Sequence, residues 1–435
     1  MFNNVQVLNI KLFIMYIDFH ARYIFKYLVF YYFILVMFIS QLLKPFYIQD
    51  LYRDSILICT LLIIVILRIF KTRKTTLPFL DYNKFIFLIM LFAFLVSLKP
   101  ILIGYVINNQ DLKMIYKWSV ILFSMPVFIY SFDKNMNINY VIVLFLLLII
   151  FFVFAGSAYH DIAYSFANKY RYMGIFNNSI MLSSYIFLLS TVAIAFVDKQ
   201  HDVFKFLVIL FTLVFSIYIY MITVNKQNLL LFTGFVCQIC ILLLFRQNLS
   251  SRFMLKKDNF IILLLFCFFI FFVGFLFFDS IYSVLDQGLF NFWKQRLYFN
   301  SMLDLFNVGR LVTIENGIEI IAKKPFLGTG YGMIHEYLYS ANARPSTVHN
   351  TPIHLMATSG IFLGLFGYFI IFIYFPFKMF FSSIQDRGGL IFIIGYICFF
   401  IQSLFESVIH KEHFYVYLSM WILYIMYINK FYKHN

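Results

Sequence analysis

Long apolar runs recur along almost the whole chain, and they restrict it to folds that sit in a lipid bilayer. Hydrophobic residues make up 63% of the 435 positions and charged residues only 12%, a balance that soluble domains do not have. A run of roughly 17 to 25 apolar residues is long enough to cross a bilayer as a helix. The sequence therefore predicts an all-α polytopic membrane protein with about twelve transmembrane helices.

The apolar runs also divide the chain. The predicted spans are 22–42, 55–70, 85–107, 114–132, 139–156, 178–197, 203–222, 229–245, 260–278, 352–377, 389–408 and 413–429. One large loop separates the ninth span from the tenth. Three parts follow: spans 1–9 with short loops (1–278), the loop (279–351), and spans 10–12 with a tail (352–435).

Lysine and arginine in the short connections predict the orientation, because cytoplasmic loops carry an excess of both. Under a twelve-span layout one side receives the basic clusters at 71–84, 246–257, 378–387 and 430–433. Both termini are then cytoplasmic, and the loops at 157–177, 223–228 and 279–351 face outward. This bias accounts for the formal charge of +15 better than nucleic-acid binding does, so we expect no nucleic-acid partner.

The five cysteines all lie inside predicted spans, so none can staple the outer loop. Cys237 and Cys240 form a C-x-x-C pair, but no second pair accompanies it. Packing is therefore favoured over metal or redox chemistry. We therefore expect no metal or redox site at this cysteine pair.

Polar residues that could carry chemistry are concentrated in the outer loop. A short amphipathic helix is predicted by the spacing of Leu311, Ile314, Ile318 and Ile321, with Pro325 ending it and Arg310 at its N-terminal end. The alternative interpretation makes Arg310 an interface anchor or a surface residue. The glycine-spaced turn Gly328-Thr329-Gly330-Tyr331-Gly332 follows, and its backbone could either approach a ligand or simply turn.

His349-Asn350-Thr351-Pro352 stands at the start of the tenth span. Asn350 or Thr351 can cap that helix, and Pro352 suits its first turn. His349 is then placed just outside a helix N-terminus, where an anion such as phosphate is favoured.

Farther along the tenth span, a histidine and a row of glycines are explained by helix packing without a role in chemistry. His354 lies about one turn in from the helix start and is expected to pack or to orient a neighbour. Gly360, Gly364 and Gly367 predict a small-residue face for close contact with another helix.

Taken together, Arg310, the turn from Pro325 to Gly332 and His349-Asn350 with the later Gly360 resemble the bacterial O-antigen polymerase and O-antigen ligase superfamily. The resemblance covers roughly residues 171–367 and is most specific from 310 to 364. It implies an undecaprenyl-diphosphate-linked oligosaccharide donor. It also implies bond formation at the periplasmic face of the bacterial inner membrane without a nucleotide sugar or a metal, so we expect no metal and no cofactor.

Family roles can be carried over where residues match. Arg310 takes the place of the loop arginine, and Arg171, followed by Gly174 and Asn177, that of an upstream arginine. Many members have a Thr/Ser-Arg pair before the eighth span, whereas this chain has Asn225-Lys226. The resemblance therefore assigns the phosphate-binding role to Lys226, since lysine can bind phosphate although it lacks the bidentate fork of arginine.

The resemblance assigns the remaining roles within the loop. His349 would activate the acceptor hydroxyl, a task that suits the near-neutral titration of histidine as a residue type. Further contacts to the substrate are expected from Gly330, Tyr331 and Asn350. His335 and Glu336 are the reserve candidates for the base.

Three functions remain open on the sequence alone. O-antigen polymerase is preferred, with a second lipid-linked glycan as acceptor and a chain-length regulator as a further partner. O-antigen ligase uses the same donor and transfers the glycan to the lipid A-core. A non-enzymatic flippase or other carrier would bury its cations along a path between helices, whereas the candidates here fall on outward loops and span ends.

Overall fold

The structure is a computed structural model that describes residues 138–159, 179–198, 202–223, 226–244, 308–330, 348–384, 386–408 and 412–432, with Gln200, Ile334 and Leu338. Every regular element in these ranges is a helix. The helices are α1 (Ile138–Tyr159), α2 (Ser179–Val197), α3 (Asp202–Thr223), α4 (Lys226–Leu244), α5 (Val308–Lys323), α6 (Thr351–Ser359), α7 (Ile361–Ser383), α8 (Arg387–Phe405) and α9 (Glu412–Tyr432).

Six of these helices, α1 to α4, α8 and α9, coincide with predicted spans, α6 and α7 together cover the predicted tenth span, and α5 coincides with the predicted helix of the loop. Four of them, α2, α3, α7 and α8, are long and apolar enough to cross a membrane, and shorter apolar stretches occur in α1, α4 and α9. The chain is therefore a helical membrane protein. The predicted spans 22–42, 55–70, 85–107, 114–132 and 260–278 lie outside the described residues, so the count of twelve stays a prediction.

The bundle is built around α2, which is buried along nearly its whole length and packs against α1, α3, α4, α8 and α9. Its neighbour α3 is different, because a row of large apolar side chains such as Phe206, Leu210 and Val214 is exposed. An exposed apolar row on a membrane-crossing helix is suited to lipid. Cys237 and Cys398 are buried within the bundle, in agreement with the packing role expected of the first.

Buried polar contacts tie the helices together at one end. Asp198, just after α2, pairs with Arg387 at the start of α8, and it also binds Lys205 with an N–O distance of 3.3 Å. Arg387 Nη1 donates to the carbonyl of Leu242, near the end of α4, at 3.1 Å. We call this the inner end, since the predicted orientation places it at the cytoplasm.

A second polar contact defines the outer end, where α2 and α4 begin and α8 finishes. Gln402 Nε2 donates to Ser184 Oγ at 3.0 Å and to Gln227 Oε1 at 3.2 Å. The two sets of contacts make α8 antiparallel to α2 and α4. This alternation is the one that the predicted span order requires.

The predicted tenth span, 352–377, is wrong as a single helix. The chain breaks at Gly360, whose φ of 84° separates the nine-residue α6 from α7. Gly364 then lies against the backbone of Leu355 and Met356, where an added Cβ would meet heavy atoms at 2.6 Å. Gly364 thus packs closely against another helix, α6, whereas the close contact of Gly360 is with the turn that contains Phe326.

A π-helical turn at Ile370–Tyr374 interrupts α7. Pro376 follows it and has no N–H to donate to a carbonyl one turn earlier. The Tyr396 hydroxyl of α8 donates instead to the carbonyl of Phe372, at 2.5 Å. A side chain from a neighbouring helix thus supplies a bond that the backbone of α7 cannot make.

We expect Tyr396→Phe to lower the free energy of unfolding in detergent by about 1–3 kcal/mol, because the Phe372 carbonyl loses its donor in a buried setting. In the background Pro376→Ala, which restores a backbone N–H, the same change should lower it less. The two losses are measured by equilibrium unfolding. Equal losses in both backgrounds would contradict this role for Tyr396.

Candidate functional site

The outer end of the bundle holds a histidine–carboxylate pair. His349 Nδ1 lies 3.1 Å from Oε1 of Glu406, and the side chains are 19% and 8% exposed. His349 comes directly before the cap of α6, and Glu406 comes directly after α8. Two segments 57 residues apart therefore meet at one partly accessible imidazole.

The residues after His349 fasten the start of α6 to the end of α8. Asn350 caps α6, because its Oδ1 accepts from the Ile353 N–H at 3.0 Å, while its Nδ2 donates to the Leu404 carbonyl at 2.9 Å. The predicted cap is thus confirmed. The Asn350 side chain thus already makes two hydrogen bonds, which leaves the second Nδ2 hydrogen and the second Oδ1 lone pair for the predicted substrate contact.

Thr351 adds a second fastening to the same turn. Its hydroxyl donates to the carbonyl of Glu406 at 2.8 Å and accepts from the Val408 N–H at 2.9 Å. The backbone on both sides of the Glu406 side chain is therefore held from α6. In turn, the His349 N–H lies 3.4 Å from the Thr313 hydroxyl of α5.

The negatively charged group beside His349 is a side chain of the protein itself, the carboxylate of Glu406. Sequence reasoning placed a substrate phosphate at this helix N-terminus, where the dipole favours negative charge. The structure places the carboxylate of Glu406 there. His349 is thus already paired with a carboxylate and has the surroundings expected of an oriented base rather than of a phosphate ligand.

His354, one turn into α6, is completely enclosed. Burial, and secondarily the electrostatic interaction with nearby His349, lowers the pKa of His354 to about 3. It therefore stays neutral at physiological pH. This agrees with the expectation that His354 packs, and it leaves His349 as the more accessible imidazole of the two.

The glycine turn has a structural task. The Thr329 and Gly330 N–H groups donate to the carbonyls of Ala357 and Thr358 at the end of α6, both at 2.9 Å. The carbonyl of Pro325 accepts from the Ile361 N–H at 2.7 Å, at the start of α7. The turn thus bonds one helix end and the next helix start across the Gly360 break. The N–H of Gly330 is engaged, which counts against the predicted ligand contact through that group.

Close approach explains why glycine stands at two of these positions. Gly328 has a φ of 60°, and an added Cβ there would come within 2.7 Å of the Ala357 carbonyl oxygen. At Gly360 an added Cβ would meet the Phe326 carbonyl oxygen at 2.1 Å. Side chains at either position would push the turn away from α6.

Two of the predicted phosphate-binding residues, Lys226 and Arg310, lie in described helices, and the backbone gives their positions. Lys226 is the first residue of α4, next to Gln227, whose side chain contacts Gln402 one turn before Glu406. Arg310 is in the first turn of α5, one turn before Thr313. The backbones of both residues therefore start helices that reach the outer end. The predicted site residues Arg171, Tyr331, His335 and Glu336 lie outside the described residues.

Sequence reasoning missed Glu406 and Gln402. The signal for Glu406 was present, because the predicted span 389–408 contained this carboxylate, and an ionisable residue inside a span is a functional candidate. In the part of the chain that the structure describes, no group of three or more His, Cys, Asp or Glu side chains is arranged to hold a metal.

Comparisons of the chain with protein-family profiles, with curated proteins and with solved structures gave no match.

The low pKa of His354 predicts a loss of stability in acid. The pKa of histidine in an unfolded chain is near 6.5. Below that pH, His354 is therefore protonated in the unfolded chain but not in the folded one. The contribution of His354 to the free energy of unfolding is fully present above about pH 6.5. It decreases as the pH falls toward 3, by at most about 1.4 kcal/mol per pH unit.

Thermal unfolding in detergent at pH 7 and pH 5 measures this effect. We expect His354→Gln, which carries no titrating group, to show a smaller difference between the two pH values than the parent. An unchanged difference would assign the acid sensitivity to other groups.

Proposed function

We propose that the protein is a metal-independent membrane glycosyltransferase that uses an undecaprenyl-diphosphate-linked glycan, with O-antigen polymerase as the preferred activity. The contact of His349 with Glu406 at the outer end is the observation that carries this proposal. A base and its orienting carboxylate are what activation of a sugar hydroxyl requires. The resemblance described above supplies the donor class.

In this mechanism, the Nδ1–H group of His349 donates a hydrogen bond to the Glu406 carboxylate. The other ring nitrogen, Nε2, is then unprotonated and can accept a proton. The acceptor hydroxyl gives its proton to Nε2 while its oxygen bonds to the anomeric carbon of the donor. The bond from that carbon to the diphosphate oxygen breaks at the same time. Glu406 stabilises the imidazolium that forms, and the proton passes afterwards to water.

The leaving undecaprenyl diphosphate gains negative charge, which fixed cations stabilise where water is partly excluded. Lys226 and Arg310 are proposed for this role because their helices start at the same end of the bundle as the His349–Glu406 pair. Arg171 is proposed with them on the resemblance alone.

The distribution of buried charge favours an enzyme over a carrier. Within the described ranges, the buried charged side chains Asp198, Asp386, Arg387 and Glu406 lie at the two ends of the bundle. The middle is joined by neutral groups, such as Thr191 and Gln238, whose side chains bond each other at 3.0 Å. A translocation path would need ionisable groups between the ends.

We expect His349→Ala to reduce turnover by about 10²- to 10⁴-fold with little change in donor binding, since it removes the base. Glu406→Gln should reduce turnover by about ten- to a hundredfold, the value of a charge-assisted hydrogen bond. The measurements are transfer and donor binding with purified protein and lipid-linked donor.

Glu315→Gln is the matched control for Glu406→Gln, because Glu315 is an exposed carboxylate on α5; its turnover should equal that of the parent. His349→Lys separates base from cation. A lysine variant as active as the parent would exclude general-base catalysis by His349, and full turnover in His349→Ala would remove this residue from the site.

Deleting the gene and resolving the lipopolysaccharide on a gel should distinguish the candidate activities. Loss of a polymerase leaves core plus one repeat unit, because single units are still attached. Loss of a ligase leaves bare core. Loss of a flippase also leaves bare core, but purified flippase would transfer no sugar in vitro. Bare core would therefore contradict the polymerase assignment.

A further inference from the structure

An apolar knob projects from the turn that joins α5 to the Gly360 break. Its members are Phe326, Leu327 and Phe362, which are 71%, 53% and 72% exposed. The rings of Phe326 and Phe362 stack with centroids 6.2 Å apart and planes 18° from parallel. Large apolar side chains at such exposure are unfavourable in water, so this surface requires an apolar partner.

The knob is held in place by backbone bonds. Gly328 donates to the carbonyl of Lys324 at 2.9 Å, and the Ile361 N–H donates to that of Pro325 at 2.7 Å. Thr329 and Gly330, bonded to the end of α6, fix the turn from the other side. The exposure of Phe326 and Leu327 is thus a property of a fastened turn.

The knob continues the exposed apolar face of a membrane-crossing helix. Phe362 is in the first turn of α7, at one end of the stretch that is long and apolar enough to cross a membrane. The same exposed face runs down the helix through Leu365, Phe366, Phe369, Ile373, Phe377 and Phe381. Phe326 and Leu327 lengthen this face beyond the end of the span, to the level of the headgroups.

The charges beside the knob suit that level. Lys323 and Lys324 directly precede it, and Lys323 is exposed and paired with Glu319 at 2.6 Å. Lysine next to aromatic residues is typical of the membrane–water interface, where apolar stems and rings meet acyl chains and ammonium groups meet lipid phosphates.

We propose that Phe326, Leu327 and Phe362 form an interfacial anchor that inserts into the outer boundary of the lipid bilayer. The anchor sets the depth of the candidate site, because the same turn holds the end of α6, and α6 carries His349 at its other end. A nine-residue helix separates the two by about 13 Å. The anchor does not depend on the proposed function.

Brominated lipids test this assignment with Leu327→Trp protein reconstituted into phosphatidylglycerol-containing vesicles. Glu315→Trp is the matched control, because Glu315 is an exposed, charged position on α5 outside the knob, and the parent gives the background from its three tryptophans. We expect the emission added by Leu327→Trp to be blue-shifted and mostly quenched, more by bromines near the headgroups than by deep ones. The emission added by Glu315→Trp should resist quenching.

Three results would overturn the anchor. Water-like emission from Leu327→Trp without quenching would place the knob in solvent. Blue-shifted emission without quenching would mean that protein covers it. Equal quenching in both variants would mean that the whole of α5 lies on the membrane. The knob would then not be a specific site of membrane insertion. None of these results bears on sugar transfer, which the activity measurements test separately.

Discussion

The fastening of α6 to the last turn of α8 is the interaction on which the outer end depends. Asn350 and Thr351 bond the backbone around Glu406, and this brings the carboxylate to His349. A helix of nine residues is too short to be stable alone. Its ends are satisfied from outside, by α8 at one end and by the glycine turn at the other, so the position of His349 is imposed by its neighbours.

The buried polar residues are arranged so that they bond to one another, because water cannot reach them inside the bundle. A buried polar group in a membrane protein must find a partner within the protein. The pairing of Asp198 with Arg387 meets this need at the inner end, and the contacts of Gln402 meet it at the outer end. Such contacts are directional, and they define the order and direction of helices that apolar packing alone would leave ambiguous.

Local signals in the sequence were sufficient for most helices. The apolar runs predicted α1 to α4, α8 and α9 to within a few residues, and the spacing from Leu311 to Ile321 predicted α5. Asn350 was correctly predicted as a cap because capping depends on residues only three positions apart. The predicted positions before 138 and between 245 and 307 lie outside the described part of the chain.

The contacts that build the site were beyond local reasoning. The apolar run after Pro352 continues through Gly360, so no change in hydropathy marked the break. The close approach of Phe326, which requires glycine at this position, comes from a segment remote in sequence. The pairing of His349 with Glu406 joins distant segments, and a single sequence contains no sign of it beyond a carboxylate in a span. The glycine turn resembled a ligand loop because the bond partners of its N–H groups are also remote in sequence.

Chain order gives the His349–Glu406 contact a consequence for biosynthesis. The glycine turn leaves the ribosome before α6 and α7, and His349 before Glu406 by 57 positions. The His349 imidazole therefore lacks its carboxylate partner until α8 and the residue that follows it have been synthesised. Assembly of the pair is thus a late event in the maturation of the protein, and any nascent chain arrested before Glu406 holds the histidine but not the group that orients it.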